Sequence, residues 1–434
     1  FFFDCVIAMG NQSSDPICLD YNATTPICDE ACQVMQEYLA SQARHGNPSS
    51  GHAFGTSAKH DVESARRQVA MAVACDVKEV FFTSGGTEAN NWAIIGAALQ
   101  VREQDPSKTH VVTSAIEHPA VDAPCKYLRD ELGFDVTFVP VDSTGVIDVE
   151  AFGSSLSDKT SLVTIMHANN ETGSVQPIEQ LVKITKTFHK DILFHTDAAQ
   201  SIGKIPVGVD DLGVDLLSVC SHKFYGPKGV GALYVRQGVH LKRLMHGAGH
   251  ERGQRPGTEN VLLLLGMGAA IQATHERLAE NAQHMQTCRD RICEVLRSEL
   301  GVDNVHLNGP VDQRLPNTLN VSLRSPANGT WVRAAHILGA IGVPERRQVF
   351  ASAGSACHAS SVSISPVLLA MKVPEEQALA AVRLSTGKYL TMDDAVAAAR
   401  IIVSAVVSAG ISEEKHVGAN AGCHSVDLLV DKVE

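Results

Sequence analysis

Two residues near the middle of the chain have the types and placement for cofactor chemistry. Asp197 ends the strand-like run Ile192-Leu193-Phe194-His195-Thr196, and Lys223 follows the next such run, within Ser221-His222-Lys223-Phe224-Tyr225-Gly226-Pro227-Lys228-Gly229. A strand, helix, strand unit would bring this carboxylate and this amine to one edge of a sheet. The amine can form a Schiff base, and the acid can keep a pyridine nitrogen protonated so that the ring accepts a carbanion's charge. An isolated Lys near a capping Asp is ordinarily a surface pair, so the neighbouring segments decide between the two readings.

Three segments favour the chemical one. Phe81-Phe82-Thr83-Ser84-Gly85-Gly86-Thr87-Glu88-Ala89-Asn90 reads as an apolar strand, a glycine turn and a helix start, whose first N–H groups form an anion site suited to a cofactor phosphate. His118 closes Thr113-Ser114-Ala115-Ile116-Glu117-His118 just past another strand, with Pro119 suited to the first turn of the next helix. Its imidazole could stack on a pyridine ring and carry protons, although a lone His is more often a capping residue. Cys357 lies in Ala351-Ser352-Ala353-Gly354-Ser355-Ala356-Cys357-His358-Ala359-Ser360-Ser361, a run of small residues that reads as a loop able to carry a nucleophile. Taken alone, that Cys is as readily a small buried hydrophobe.

The elements that must position these groups follow from periodicity. Short apolar runs at Glu79–Thr83, His110–Ser114, Val136–Val141, Ser161–Met166, Ile192–Thr196, Leu216–Val219 and Val230–Val235 alternate with helical patterns. Such alternation predicts an α/β fold: a mostly parallel sheet between helices, with its chemistry at the carboxyl ends of the strands. A large domain is expected over residues 28–275. Residues 1–27 and 276–411 are expected to form a smaller α+β domain, with a long helical stretch over Val261–Leu300, a strand at Thr318–Leu323 and helices near Val367–Leu390. Residues 412–434 read as a polar, partly disordered tail.

Composition narrows the class. A chain of 434 residues with 44% hydrophobic content can bury a large core. A net charge of -12, with Lys and Arg scattered, argues against nucleic acid as a partner. No run reaches the length needed to span a bilayer, so no membrane partner is expected. Eleven cysteines without a regular framework point to a reducing compartment, with the cytoplasm the expected address. Cys28 and Cys32 could share a helix face but lack further ligands, and no metal is expected. A start at Met9 would leave a short match to an N-myristoylation pattern.

Together the motifs resemble the cysteine desulfurase and selenocysteine lyase family of the class V aminotransferase group, fold type I. The likeness runs from Leu19-Asp20-Tyr21-Asn22-Ala23-Thr24-Thr25-Pro26 to about Leu390. It includes His45-Gly46-Asn47-Pro48-Ser49-Ser50, Met166-His167-Ala168-Asn169-Asn170-Glu171-Thr172-Gly173, His195-Thr196-Asp197-Ala198-Ala199-Gln200 and Arg255-Pro256-Gly257-Thr258-Glu259-Asn260. The resemblance implies pyridoxal 5'-phosphate held by Lys223, with Asp197 on its ring nitrogen and His118 stacked on its ring. It further implies Asn170 and Gln200 at the phenolic oxygen, and Gly86, Thr87 and His222 at the phosphate, with Ser221 beside the cofactor. Thr258 would reach the phosphate of a neighbouring subunit, implying a homodimer. Asn47 and Arg383 would hold the substrate carboxylate, and Cys357 would form the persulfide.

The activity so implied removes sulfur from L-cysteine, or selenium from L-selenocysteine, and leaves L-alanine; a sulfur or selenium acceptor protein would follow. The amine of Lys223, once displaced by substrate, would serve as general base. Two departures bear on this. Cys220 stands where family members often have Ser, and a thiol is the poorer donor. Pro119 follows His118 where animal selenocysteine lyases typically carry an acid, yet Ala356-Cys357-His358 and Ser365-Pro366-Val367-Leu368-Leu369 look lyase-like, so the sulfur or selenium preference stays open. The alternatives are a dedicated selenocysteine lyase, an aminotransferase on the same fold and a non-catalytic scaffold relative.

Overall fold

The computed structural model describes the backbone of residues 15–41, 44–344, 347–354 and 364–420. Met9, Cys357, His358 and residues 421–434 lie outside the described residues.

Twelve strands are described: β1 (Ile17–Cys18), β2 (Val80–Thr83), β3 (His110–Ser114), β4 (Asp135–Val139), β5 (Thr160–Thr164), β6 (Leu193–Asp197), β7 (Leu216–Cys220), β8 (Gly231–Val235), β9 (Val305–Leu307), β10 (Thr318–Leu323), β11 (Val349–Phe350) and β12 (Ala381–Ser385). Seven of them form one sheet in the order β2-β8-β7-β6-β5-β3-β4. Only β8 runs against its neighbours there, pairing antiparallel with both β2 and β7. The expected mostly parallel sheet is present, with strand positions within a residue or two of the apolar runs.

These runs become strands because both faces of the sheet are covered. Successive residues alternate between two cores: Val111, Leu162 and Leu216 join one cluster, while Val112, Val163 and Leu217 join the other. Helices Ala53–Ala72, Ile178–Phe188 and Val261–Glu276 supply the second core. The first is supplied by the segment Gly86–Gln104, which passes through a π-helical turn at Trp92–Gly96, and by Pro119–Leu132. Strands buried on both sides read as continuous apolar runs, which is why they were visible.

A further core holds Ile17 and Leu19 together with Cys288, Ile292 and Leu296 of helix Leu278–Leu300, Ile337, and Ala398 and Ile402 of helix Met392–Asn420. It packs on an antiparallel sheet ordered β12-β10-β9. The long helical stretch is two helices broken at Arg277. Two expectations need correction. The stretch near Val367–Leu390 is helical only at Pro366–Ala370 and Glu375–Leu379, and then becomes β12. The helix from Met392 also continues through Asn420, into the residues read as a polar tail. Among the described residues no helix is long and apolar enough to cross a membrane, and no cluster of side chains could hold a metal ion.

Candidate active site

The carboxyl ends of β2, β3, β5, β6 and β7 open into one cavity of about 480 Å³, a size typical of cofactor sites. Each strand delivers its residues as it ends: Ser84 to Glu88 after β2, His118 after β3, Met166, Ala168 and Asn170 after β5, Asp197 at the tip of β6, and Cys220, His222 and Lys223 after β7. Arg383 enters from β12 of the other sheet. This is the strand-end placement that an open α/β sheet dictates.

Asp197 is buried and held at both oxygens: Asn90 Nδ2 donates to Oδ2 at 2.7 Å, and the Ala199 N–H donates to Oδ1 at 2.9 Å. A carboxylate has about four acceptor sites, so each oxygen keeps one for a ring N–H. Lys223 Nζ donates to the carbonyls of Asn22 at 2.6 Å and Ala23 at 2.8 Å, which fixes the amine at the cavity wall. Burial, with help from Arg383, pushes its pKa below the ordinary lysine value, against a smaller opposing pull from Asp197 and Asp20. An amine with a depressed pKa is the better nucleophile and base near neutral pH.

His118 caps helix Pro119–Leu132, its Nδ1 accepting from the Ala120 N–H at 3.1 Å. Burial holds its pKa below the usual histidine value. A neutral ring whose Nδ1 accepts must carry its proton on Nε2. His222 is likewise kept neutral, its pKa pushed down to about 4 by burial and then by Lys223, with Nδ1 hydrogen-bonded to Thr24 Oγ1 at 3.1 Å.

The glycine turn meets the cavity at Gly85, Gly86 and Thr87, where a helix starts. Gly85, at its N-cap, has no side chain to satisfy the first N–H groups, an arrangement suited to an anion, with the Gly86 N–H also facing the Cys220 sulfur. Gly85 has to be glycine because its φ of 151° is one that side chains rarely tolerate, and the turn after it lies directly on β7 and β8. A Cβ on Gly86 would stand 3.1 Å from Cys220 Cβ, and one on Gly231 would stand 2.8 Å from the Gly85 carbonyl carbon. Cys220 is thus part of the floor under the turn, its thiol raised in pKa by burial.

Arg383 is 1% exposed; its Nη2 pairs with Asp20 Oδ1 at 2.6 Å, its Nη1 donates to the Asn170 carbonyl at 3.1 Å, and its Nε has no partner among the described residues. Its backbone pairs with Ser352, ahead of Cys357: Arg383 N–H donates to Ser352 O at 2.7 Å. On the far side of Cys357, Ser365 Oγ donates to Glu171 Oε2 at 2.6 Å, and a Cβ on Gly354 would lie 3.2 Å from that same oxygen. Both described flanks of the Cys357 segment are therefore anchored beside Arg383 and Glu171.

Gly86, Thr87, His118, Asn170, Asp197, Gln200, His222, Lys223 and Arg383 all line the cavity, as the sequence led us to expect. Three expected residues do not. Ser221, the first residue after β7, is fully buried, its Oγ 2.2 Å from where a side chain on Gly226 would stand. Asn47 is exposed, its Oδ1 accepting from the Ser49 N–H, and Thr258 is exposed on a loop tied back to the site by the Arg255–Glu88 ion pair at 2.8 Å.

Asn22, Asn90, Lys204 and Glu117 were not singled out. Asn90 had a usable signal, because it stands one helical turn after Gly86 and so shares its face. Glu117 carried none: it is a half-buried residue whose carboxyl, raised to about 8 by burial, ties the Ser114 hydroxyl to the Met166 N–H at 2.9 Å. A Lys, a carboxylate held toward an incoming N–H, a side-chain-free helix start and a neutral His around one cavity are the donor set that pyridoxal phosphate requires. The residues fit that cofactor.

Comparison with known proteins agrees. The aminotransferase class-V model matches residues 17–397. The cysteine desulfurase IscS of Dictyoglomus turgidum is 43% identical over 376 residues, 87% of this chain and 91% of that protein. The cysteine desulfurase IscS of Methanosarcina thermophila is 40% identical, covering 87% of this chain and 88% of its own. Among solved structures, a NifS-like protein superposes with a TM-score of 0.80 at 37% identity over 90% of this chain and 98% of that one. A second, described as SspA in complex with cysteine, gives 0.73 at 34% identity over 86% and 99%. With an amine and a carboxylate converging at the strand ends where these relatives share their fold, the chain belongs to the class-V aminotransferase family, among the cysteine desulfurases.

Proposed function

We propose that this protein removes sulfur from L-cysteine, releasing L-alanine and passing the sulfur to Cys357. The observation that carries the reading is the pairing of Lys223 with an Asp197 held by Asn90 and the Ala199 N–H in one cavity. Pyridoxal 5'-phosphate supplies the aldehyde that engages an amine and the ring that takes up negative charge. The protein's own groups do the rest. Lys223 Nζ, its pKa lowered by burial, takes the substrate Cα proton. His118 holds a proton at Nε2, and Asp197 keeps an acceptor aimed at the ring nitrogen.

Arg383 is suited to the substrate carboxylate, since a guanidinium grips a carboxylate through two parallel bonds. Asp20 occupies one end of that fork and would yield or share it when substrate enters. The described flanks anchored at Arg383 and Glu171 support Cys357, between them in sequence, as the sulfur acceptor. The cysteine held by the related SspA structure supports the same substrate.

Thr258 and Asn47 lie outside the chain's own cavity, which fits a homodimer in which such residues complete the neighbour's site; a single-chain mass in sedimentation would contradict it. A protein acceptor would then take the sulfur. We place the enzyme in the cytoplasm, where free thiols such as Cys28, Cys125 and Cys220 stay reduced.

Product analysis tests the function. Incubating the cofactor-loaded protein with L-cysteine and a reductant is expected to give alanine and sulfide in equal amounts, and C357S is expected to give neither. Product that forms only when a keto acid is added, without sulfide, would mark an aminotransferase instead.

A further inference from the structure

Lys204 is a buried cation that the chemistry above does not use. It is 4% exposed and does not line the cavity. Its Nζ donates to Gln200 Oε1 at 2.7 Å and to Asn22 Oδ1 at 3.3 Å, both neutral amide oxygens. The charged groups acting on it most strongly are Lys223 and Arg383, which repel it, and together with burial they press its pKa well below the ordinary lysine value. A buried lysine paired only with amides is expensive, and an apolar residue of the same volume would be cheaper. Its retention calls for a role that a hydrocarbon cannot fill.

The neighbouring hydrogen bonds supply one. A protonated lysine only donates, whereas a glutamine amide can present either end. Lys204 therefore forces Gln200 to turn its oxygen away from the cavity. The other end, Nε2, then donates one hydrogen to the Asn22 carbonyl at 3.1 Å and has its second hydrogen for a cavity ligand. That same Asn22 carbonyl accepts from Lys223 Nζ at 2.6 Å, so the amide and the Schiff-base amine share one anchor. Asn22 is itself fixed through Thr318 Oγ1 at 2.8 Å and Asn317 Nδ2 at 2.9 Å.

We infer that Lys204 is a positioning residue that locks the Gln200 amide with its N–H facing the cavity, and so toward the phenolic oxygen of the bound pyridoxal phosphate. The inference rests on the cofactor reading above. An N–H held on that oxygen stabilises its anionic form and lowers the proton affinity of the neighbouring Schiff base; a carbonyl turned toward it would do the reverse.

The test is a double-mutant cycle on the holoenzyme with K204M, Q200M and the double variant, read by cofactor dissociation constant and by the pH midpoint of the visible Schiff-base band. K204M is expected to bind the cofactor about tenfold more weakly, the scale of one hydrogen bond to a charged group. Its midpoint should move upward, Q200M should behave alike, and the double variant should be no worse than either. K204L serves the same cycle if K204M does not fold. An unchanged affinity and midpoint in the Lys204 variant, or effects that add in the double variant, overturn the inference while leaving the cofactor reading intact. A wild-type protein with no visible band would instead overturn the cofactor reading itself.

Discussion

At the scale of single residues, the chemistry depends on groups that face the reacting ones from behind. Asn90, on the cavity wall, supplies one of the two donors to the Asp197 carboxylate. Replacing Asn90 by Ala is expected to lower kcat/KM for L-cysteine by about tenfold, one charge-assisted hydrogen bond, with the fold unchanged. Wild-type kinetics in N90A would mean that Asp197 needs no such support. The residues that bear the chemistry were legible because motifs mark them: Lys223, Asp197, His118 and the glycine turn all sit where an apolar run ends. Their supports were not. Nothing in a one-dimensional pattern distinguishes Lys204 from a surface lysine, since its burial comes from the approach of Asn22 and Arg383, distant in sequence.

At the scale of elements, the floor under the glycine turn has no room for a side chain. A Cβ on Gly231 would stand 2.6 Å from the Val219 carbonyl oxygen and 2.8 Å from the Gly85 carbonyl carbon, all backbone atoms that cannot rotate aside. G231A is therefore expected to lift the turn from β8, weakening cofactor binding more than tenfold and lowering thermal stability, overpacking of this kind costing about 1–3 kcal/mol. Cofactor titration with thermal unfolding checks both. The strands of the large sheet could be read because burial on both faces makes each a short apolar run between helical patterns. The same logic failed at Ala381–Ser385. Five buried residues following the short helix Glu375–Leu379 carry no periodicity that separates strand from helix, and the pairing with β10 that decides the matter is set by residues some sixty positions away. Arg383 was thus assigned its role through its motif and not through its element.

At the scale of the whole molecule, the site carries an electrostatic load that governs stability with pH. His167, His195 and His222 are held neutral by burial, with pKa values pushed down to about 4, about 3 and about 4 from 6.5. His195 spans three strands, bonded to Thr164 Oγ1 at 2.8 Å and Ser218 Oγ at 2.9 Å, and it cannot leave to find water. In the unfolded chain these rings take up protons below pH 6.5 while the folded ones do not, so stability falls as pH drops from 6.5 toward 4. Glu117, raised to about 8 by burial, runs the other way, since its folded form stays protonated where the unfolded one ionises. His110 and His118 are held low by burial as well, and five such histidines against one raised carboxyl leave the net slope toward acid instability. Unfolding temperatures of the cofactor-free protein are expected to fall between pH 6.5 and pH 4.5, and a flat profile would contradict this balance.

Two lysines converge on Asn22, Lys223 at the cavity wall and Lys204 behind Gln200, and all of the chemistry depends on which one the cofactor engages. Borohydride reduction of the cofactor-loaded protein, followed by peptide mapping, answers this directly. The reduced label should lie on Lys223 alone, in the peptide containing Ser221-His222-Lys223. A label on Lys204, or on any other lysine, would contradict it.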